Sequence, residues 1–142
     1  MSLQLKYPSF QVKVKNNNGQ TKIFDPIRKK WFVLTPEEWV RQHVLNYLIQ
    51  VKKYPASLIS IEKEISLNGL KKRYDIVIYK KDLNPFLIVE CKAPFVNLDI
   101  TTIEQAQRYN LIVKGNYLMI TNGISDLILD TENKNTNLPD YF

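Results

Sequence analysis

The run Phe86-Leu-Ile-Val-Glu-Cys91 constrains the fold of this chain more than any other feature. Apart from its one carboxylate it is wholly apolar, the mark of a strand buried on both faces, and such strands lie in sheets covered by helices. Ala93-Pro94 stops it. The pattern then predicts a helix over 101–113, with Ile103, Ala106 and Asn110 on one side and Gln105 and Tyr109 one turn apart. A second buried strand follows over 117–121, then a tight turn at Asn122-Gly123 and a last strand over 124–129.

Upstream, Thr35-Pro36-Glu37-Glu38 is a helix start, with Thr35 as N-cap, Pro36 in the first turn and Glu38 placed as in a capping box. Val40, Val44, Tyr47, Leu48 and Val51 continue at helical spacing until Tyr54-Pro55. Residues 58–67 alternate weakly, Asn68-Gly69 is a hairpin turn, and 70–79 return as a strand. Before the helix, 10–15 alternate at period two, 16–19 turn, 20–24 return, and 30–34 form a further extended piece. The expected order is α-β-β-β-α-β-β behind an N-terminal β extension, which defines a mixed α/β fold. Three parts are expected: a β extension over 1–34 packed on the core, a main domain over 35–130, and a polar tail over 131–142.

At 142 residues the chain has the length of one domain. One cysteine and one histidine exclude a disulfide framework and zinc-finger spacing. With no run of about 18 apolar residues and no signal-peptide h-region at the start, a cytoplasmic protein without a membrane span is expected. The net charge of +6 favours a polyanionic partner, although many soluble proteins are simply basic. Its clusters, Arg28-Lys29-Lys30, Lys52-Lys53, Lys71-Lys72-Arg73 and Lys80-Lys81, fall at element ends, so folding decides whether they share a face.

Glu90 is the residue out of place, because an ionised carboxylate at the end of a buried strand costs several kcal/mol unless it is paired or bound to metal. Lys92 points to the same side two residues on. Asp75 interrupts the apolar run of the preceding strand, so adjacent antiparallel strands can bring both acids to one divalent ion. Two hard carboxylates suit Mg²⁺, with Mn²⁺ as a substitute, and leave coordination sites for water and phosphate oxygens. A lysine beside such an ion can orient water or stabilise developing charge. The other reading of the acids is a structural pair with Arg73 or Lys92. Acid-x-Lys is weak alone: it occurs again at Glu132-Asn133-Lys134, but there in a polar segment with no strand beneath it.

Asp75, fourteen residues, then Glu90-Cys91-Lys92 on the next strand resembles the PD-(D/E)xK nuclease superfamily. More closely, four blocks resemble, in order, the N-terminal nuclease domain of type I restriction enzyme R subunits. They are Thr35-Pro-Glu-Glu-Trp-Val-Arg-Gln42, Arg73-Tyr-Asp-Ile-Val-Ile78, Ile88-Val-Glu-Cys-Lys-Ala-Pro94 and Gln105-Ala-Gln-Arg-Tyr-Asn110, within roughly residues 20–130.

The resemblance implies a restriction-endonuclease-like core, a central mixed sheet flanked by helices, and a Mg²⁺-dependent DNA endonuclease. It implies Asp75, Glu90 and the Cys91 backbone carbonyl as metal ligands and Lys92 as the catalytic lysine. Gln105 and Tyr109 are implied near the active site and DNA, and Glu38 as an acid that reaches the metal in many members. Lys72 and Arg73 are expected to contact DNA. Tyr74 stands where the superfamily's name has proline. No Gly-x-x-x-x-Gly-Lys-(Ser/Thr) loop is present, so no ATP motor is expected. Restriction-modification subunits or a second copy are the expected partners besides DNA. A non-cutting DNA-binding or partner-docking module is the alternative.

Several residues carry a second reading. Glu38 also serves a helix cap, and Gln105 and Tyr109 can brace the helix on the sheet. His43 reads as a surface or interface residue, Cys91 as a core thiol, and Trp31 and Trp39 as packing for the extension.

Overall fold

The computed structural model describes residues 4–8, 10–67, 69–113 and 115–141. Asn68, half of the expected hairpin turn, lies outside the described residues; Gly69 follows with φ +82°, a backbone setting that suits glycine.

Two sheets form. The first has the order β1 (Val14–Asn17), β2 (Gln20–Asp25) and β3 (Lys30–Val33), all antiparallel. Asn18 and Gly19 both take positive φ between β1 and β2, as a tight two-residue hairpin requires. Asp25 closes the next connection, accepting from the N–H groups of Ile27 at 2.8 Å and Arg28 at 2.9 Å.

Helix α1 (Pro36–Asn46) begins as expected, with Thr35 Oγ1 accepting the Glu38 N–H at 3.0 Å. Beyond Asn46 the chain widens into a π-turn over Tyr47–Val51. The extra residue in that turn breaks the helical stripe, leaving Leu48 buried and Val51 48% exposed rather than core-facing.

The second sheet runs β4 (Ile59–Leu67), β5 (Leu70–Tyr79), β6 (Pro85–Cys91), β7 (Tyr117–Thr121) and β8 (Asp126–Leu129), in that spatial order. Its neighbours are antiparallel except β6 and β7, which are parallel and joined through helix α2 (Ile100–Val113). The result is a mixed α/β protein with a five-stranded mixed sheet and two main helices.

The helices cover opposite faces. Val40, Val44, Leu45 and Leu48 pack with Ile76, Ile78, Leu87 and Val89 on the α1 side. Ala106 packs with Tyr74, Val77, Ile88, Leu118 and Ile120 on the α2 side. β6 is buried on both faces, so its apolar residues serve two cores at once.

Residues 131–141 do more than trail the fold. Leu138 and Tyr141 pack against the α1-side core, and the Tyr141 hydroxyl donates to the Tyr79 carbonyl at 3.0 Å. Among the described residues no helix is long and apolar enough to cross a membrane.

Candidate active site

The site sits where β5 and β6 part. Their ladder ends at the pair Ile76 and Val89, so Asp75 and Glu90 lie one step beyond the last backbone pairing. On the other side, the β4 ladder skips the positions of Glu62 and Asp75, and Glu62 takes φ +54°. Strict alternation fails at this point: Tyr74 and Val77 both serve the α2-side core, while Ile76 faces α1. The opened ladder leaves the Cys91 N–H without a strand partner from β5. The Asp75 side chain supplies one, with Oδ2 accepting that N–H at 2.7 Å.

Arg41 of α1 holds the other oxygen, donating from Nη2 to Asp75 Oδ1 at 2.8 Å. Burial raises the Asp75 pKa above the ordinary carboxylate value. The Cys91 amide and Arg41 pull it down, and the Glu90 carboxylate beside it pushes it up again. Glu90 is therefore close enough to disfavour the charge of Asp75, and a divalent ion between the two would relieve that repulsion.

Glu90 faces a cleft under α2, lined also by Lys72, Lys92, Thr102, Gln105 and Tyr109. Lys72 Nζ lies 2.9 Å from Glu90 Oε2 and 4.8 Å from the centroid of the Tyr109 ring. Tyr74 backs this wall; burial and the Glu90 charge raise its phenol. Five residues singled out in the sequence thus meet in one cleft, with Asp75 adjoining through its interaction with Glu90.

The remaining candidates lie elsewhere. Arg73 is exposed, opposite Glu64 in the β4 ladder, and alternates away from Lys72 and the cleft. The Glu38 carboxylate accepts from Arg41 Nη1 and Arg28 Nη2, each at 3.3 Å, and from Gln42 Nε2 at 3.1 Å. Glu37 is the α1 acid whose charge is felt at the site. Burial and Asp75 raise its pKa, while Arg41 and Lys92 lower it. The Cys91 thiol is buried, which holds its pKa well above the ordinary value, as suits a core thiol. His43 Nδ1 lies 2.8 Å from the Trp39 carbonyl; its pKa is lowered by burial, and the cleft is not among its contacts.

Arg41 and Glu37 received no individual role from the sequence. Arg41 did leave a signal: positions 41, 45 and 48 share a helical face, and an arginine there interrupts a buried stripe. Glu37 left none, because an acid in a first helical turn is ordinary.

Among the described residues, no three His, Cys, Asp or Glu side chains are grouped to hold a metal ion. The donor set is two carboxylates, each oxygen of which keeps lone pairs beyond the hydrogen bonds described. Hard oxygens in that number suit Mg²⁺, which completes its shell with water and substrate oxygens.

These elements make a mixed α/β protein with a charged cleft at the end of its central strand. Residues 36–140 match the family model for the type I restriction enzyme R protein N-terminus, and the chain belongs to that family. None of the curated proteins matches it significantly. The crystal structure of SSO0001 is similar at 15% identity and a TM-score of 0.37, over 66% of this chain and 50% of that one, a likeness too distant to carry an argument.

Proposed function

We propose that this protein is a Mg²⁺-dependent DNA endonuclease with a PD-(D/E)xK-type core. The observation that carries the reading is the convergence of Glu90, Lys92 and Gln105 in one cleft, with Asp75 at its edge, in a member of a restriction-enzyme family. Asp75, Glu90 and the Cys91 carbonyl would hold Mg²⁺, with Mn²⁺ as substitute, and Glu38 belongs to the salt-bridge network behind them. When bound, the ion supplies a Lewis acid for the scissile phosphate and a water of lowered pKa.

The chain's own groups do the rest. Arg41 and the Cys91 N–H fix the orientation of Asp75 through two short hydrogen bonds. Lys92 stabilises negative charge developing at the phosphate and orients the attacking water. Gln105 and Tyr109 position the DNA strand from α2. Lys72 is held beside Glu90 and is placed to exchange that carboxylate for a phosphate. On this reading the domain cuts DNA alone or beside restriction-modification subunits.

The test is Lys92→Ala on a labelled duplex. Cleavage is expected to fall by a factor on the order of 100 or more, with duplex affinity and thermal stability retained. Undiminished cleavage by the pure variant would remove Lys92 from the chemistry. A folded wild type that binds duplex but never cuts, with metal supplied, would favour the non-cutting module.

A further inference from the structure

The N-terminal sheet has two unlike faces. Val14, Ile23 and Phe32 form one cross-strand row, and that side meets the body through buried Ile23, Asp25 and Leu34. Alternation places Lys15, Lys22 and Val33 in a row on the opposite side, next to the pair Phe24 and Trp31. Lys13 extends the same face, its carbonyl accepting the Phe24 N–H at 2.9 Å.

This outer face is cationic and carries no carboxylate. Asp25 is the sole acid between residues 10 and 33, and it is buried on the other side, bonded to Arg28 and Gln42. Lys15 and Lys22 stand directly opposite each other, an arrangement of like charges that destabilises a strand pair unless an anion offsets it. Among the described residues Lys13, Lys15 and Lys22 have no ion-pair partner within 4.0 Å.

The aromatic rings serve as a floor for the charges. Lys13 Nζ lies 5.5 Å from the Phe24 ring centroid and Lys15 Nζ lies 4.3 Å from that of Trp31, with the two rings edge-to-face at 5.3 Å. Ammonium groups therefore cover ring faces on which an unpaired base would have to stack.

We propose that this outer face is a second nucleic-acid surface, binding the phosphate backbone of duplex DNA through Lys13, Lys15 and Lys22. It lies outside the family-matched residues 36–140 and apart from the cleft. Covered rings and bare charges favour backbone contact over base reading, and hence a duplex over a single strand. The choice of DNA as the polyanion rests on the proposed function; the charge of the face does not.

The test is fluorescence anisotropy of the full chain with a labelled duplex in EDTA, where no metal-dependent cutting occurs, across a NaCl series. Changing Lys13, Lys15 and Lys22 together to Gln is expected to weaken binding and to make the slope of log K against log salt shallower by roughly 2–3. The Lys→Arg triple keeps the charge and is expected to keep the slope. An unchanged slope in the folded Gln variant overturns the proposal. So does a single strand that binds this face more tightly than the duplex. A wild type that shows the lysine-dependent slope but never cuts DNA would defeat the proposed function and leave this surface standing.

Discussion

Two buried aspartates show at the residue scale how differently a fold can treat the same group. Asp25 has no exposure, yet burial is outweighed by the Arg28 amide, Gln42 Nε2 at 2.9 Å and Arg28 Nε at 2.9 Å, so its pKa is lowered. Among the described residues Asp75 has only two donors, Arg41 Nη2 and the Cys91 N–H; burial outweighs them, the neighbouring Glu90 carboxylate adds to it, and its pKa is raised. The first is a structural hub; the second sits beside a like charge that a cation would offset. Asp25→Ala removes the acceptor of Arg28 Nε, of one Gln42 Nε2 hydrogen and of two amides, and is expected to cost about 3 kcal/mol in urea denaturation. Because the folded pKa of Asp25 lies below the ordinary 3.8, its contribution is complete above that value and is lost as pH falls through the folded one. Asp25→Asn should therefore flatten the acid limb of the stability curve below about pH 4; an unaltered limb would show that Asp25 does not carry it. Asp75, Glu90 and Lys92 were legible in the sequence because charges interrupt apolar runs there. Glu38 and Glu37 were not separable, since only the helix rotation decides which of two adjacent acids turns toward Arg28 and which toward Asp75.

At the scale of elements, α1 is the piece on which the site leans, because it carries Arg41. Thr35→Ala removes the cap that accepts the Glu38 N–H and is expected to cost about 1 kcal/mol, read as a lower urea midpoint at unchanged m-value. A loss within error would mean that packing alone holds the helix start. The strands of the main sheet were readable from apolar runs and turn residues, including the buried β6 that fixes the architecture. The π-turn after Asn46 and the gap in the β4–β5 ladder were not. Both are one-residue irregularities set by packing against other elements, and period counting has no means to register them. The second of these matters most, since it frees the Asp75 side chain to reach the Cys91 amide.

Across the whole molecule, the last segment closes the α1-side core. Tyr141 meets Phe86 at 5.3 Å and Tyr54 at 5.9 Å between ring centroids, and the Tyr54 hydroxyl donates to the Pro139 carbonyl. A stretch of polar composition hid these contacts, because single side chains anchor it from far along the sequence. Tyr141→Ala is expected to cost about 2 kcal/mol through lost ring contacts and area. Thermal melts should show it as a lower midpoint for the entire transition; an unshifted melt would mean that the segment adds nothing to the core. Gross architecture thus followed from local pattern, whereas long-range anchors did not.

The proposed function requires Asp75 and Glu90 to act together in a metal-dependent cut. Nicking of supercoiled plasmid, run in Mg²⁺, in Mn²⁺ and in EDTA, tests it most directly on wild type beside Asp75→Ala and Glu90→Ala. Nicking is expected from the wild type in either metal and not in EDTA, with loss in both variants while each still melts cooperatively. Equal nicking by wild type and both folded variants, or nicking that survives EDTA, would contradict it.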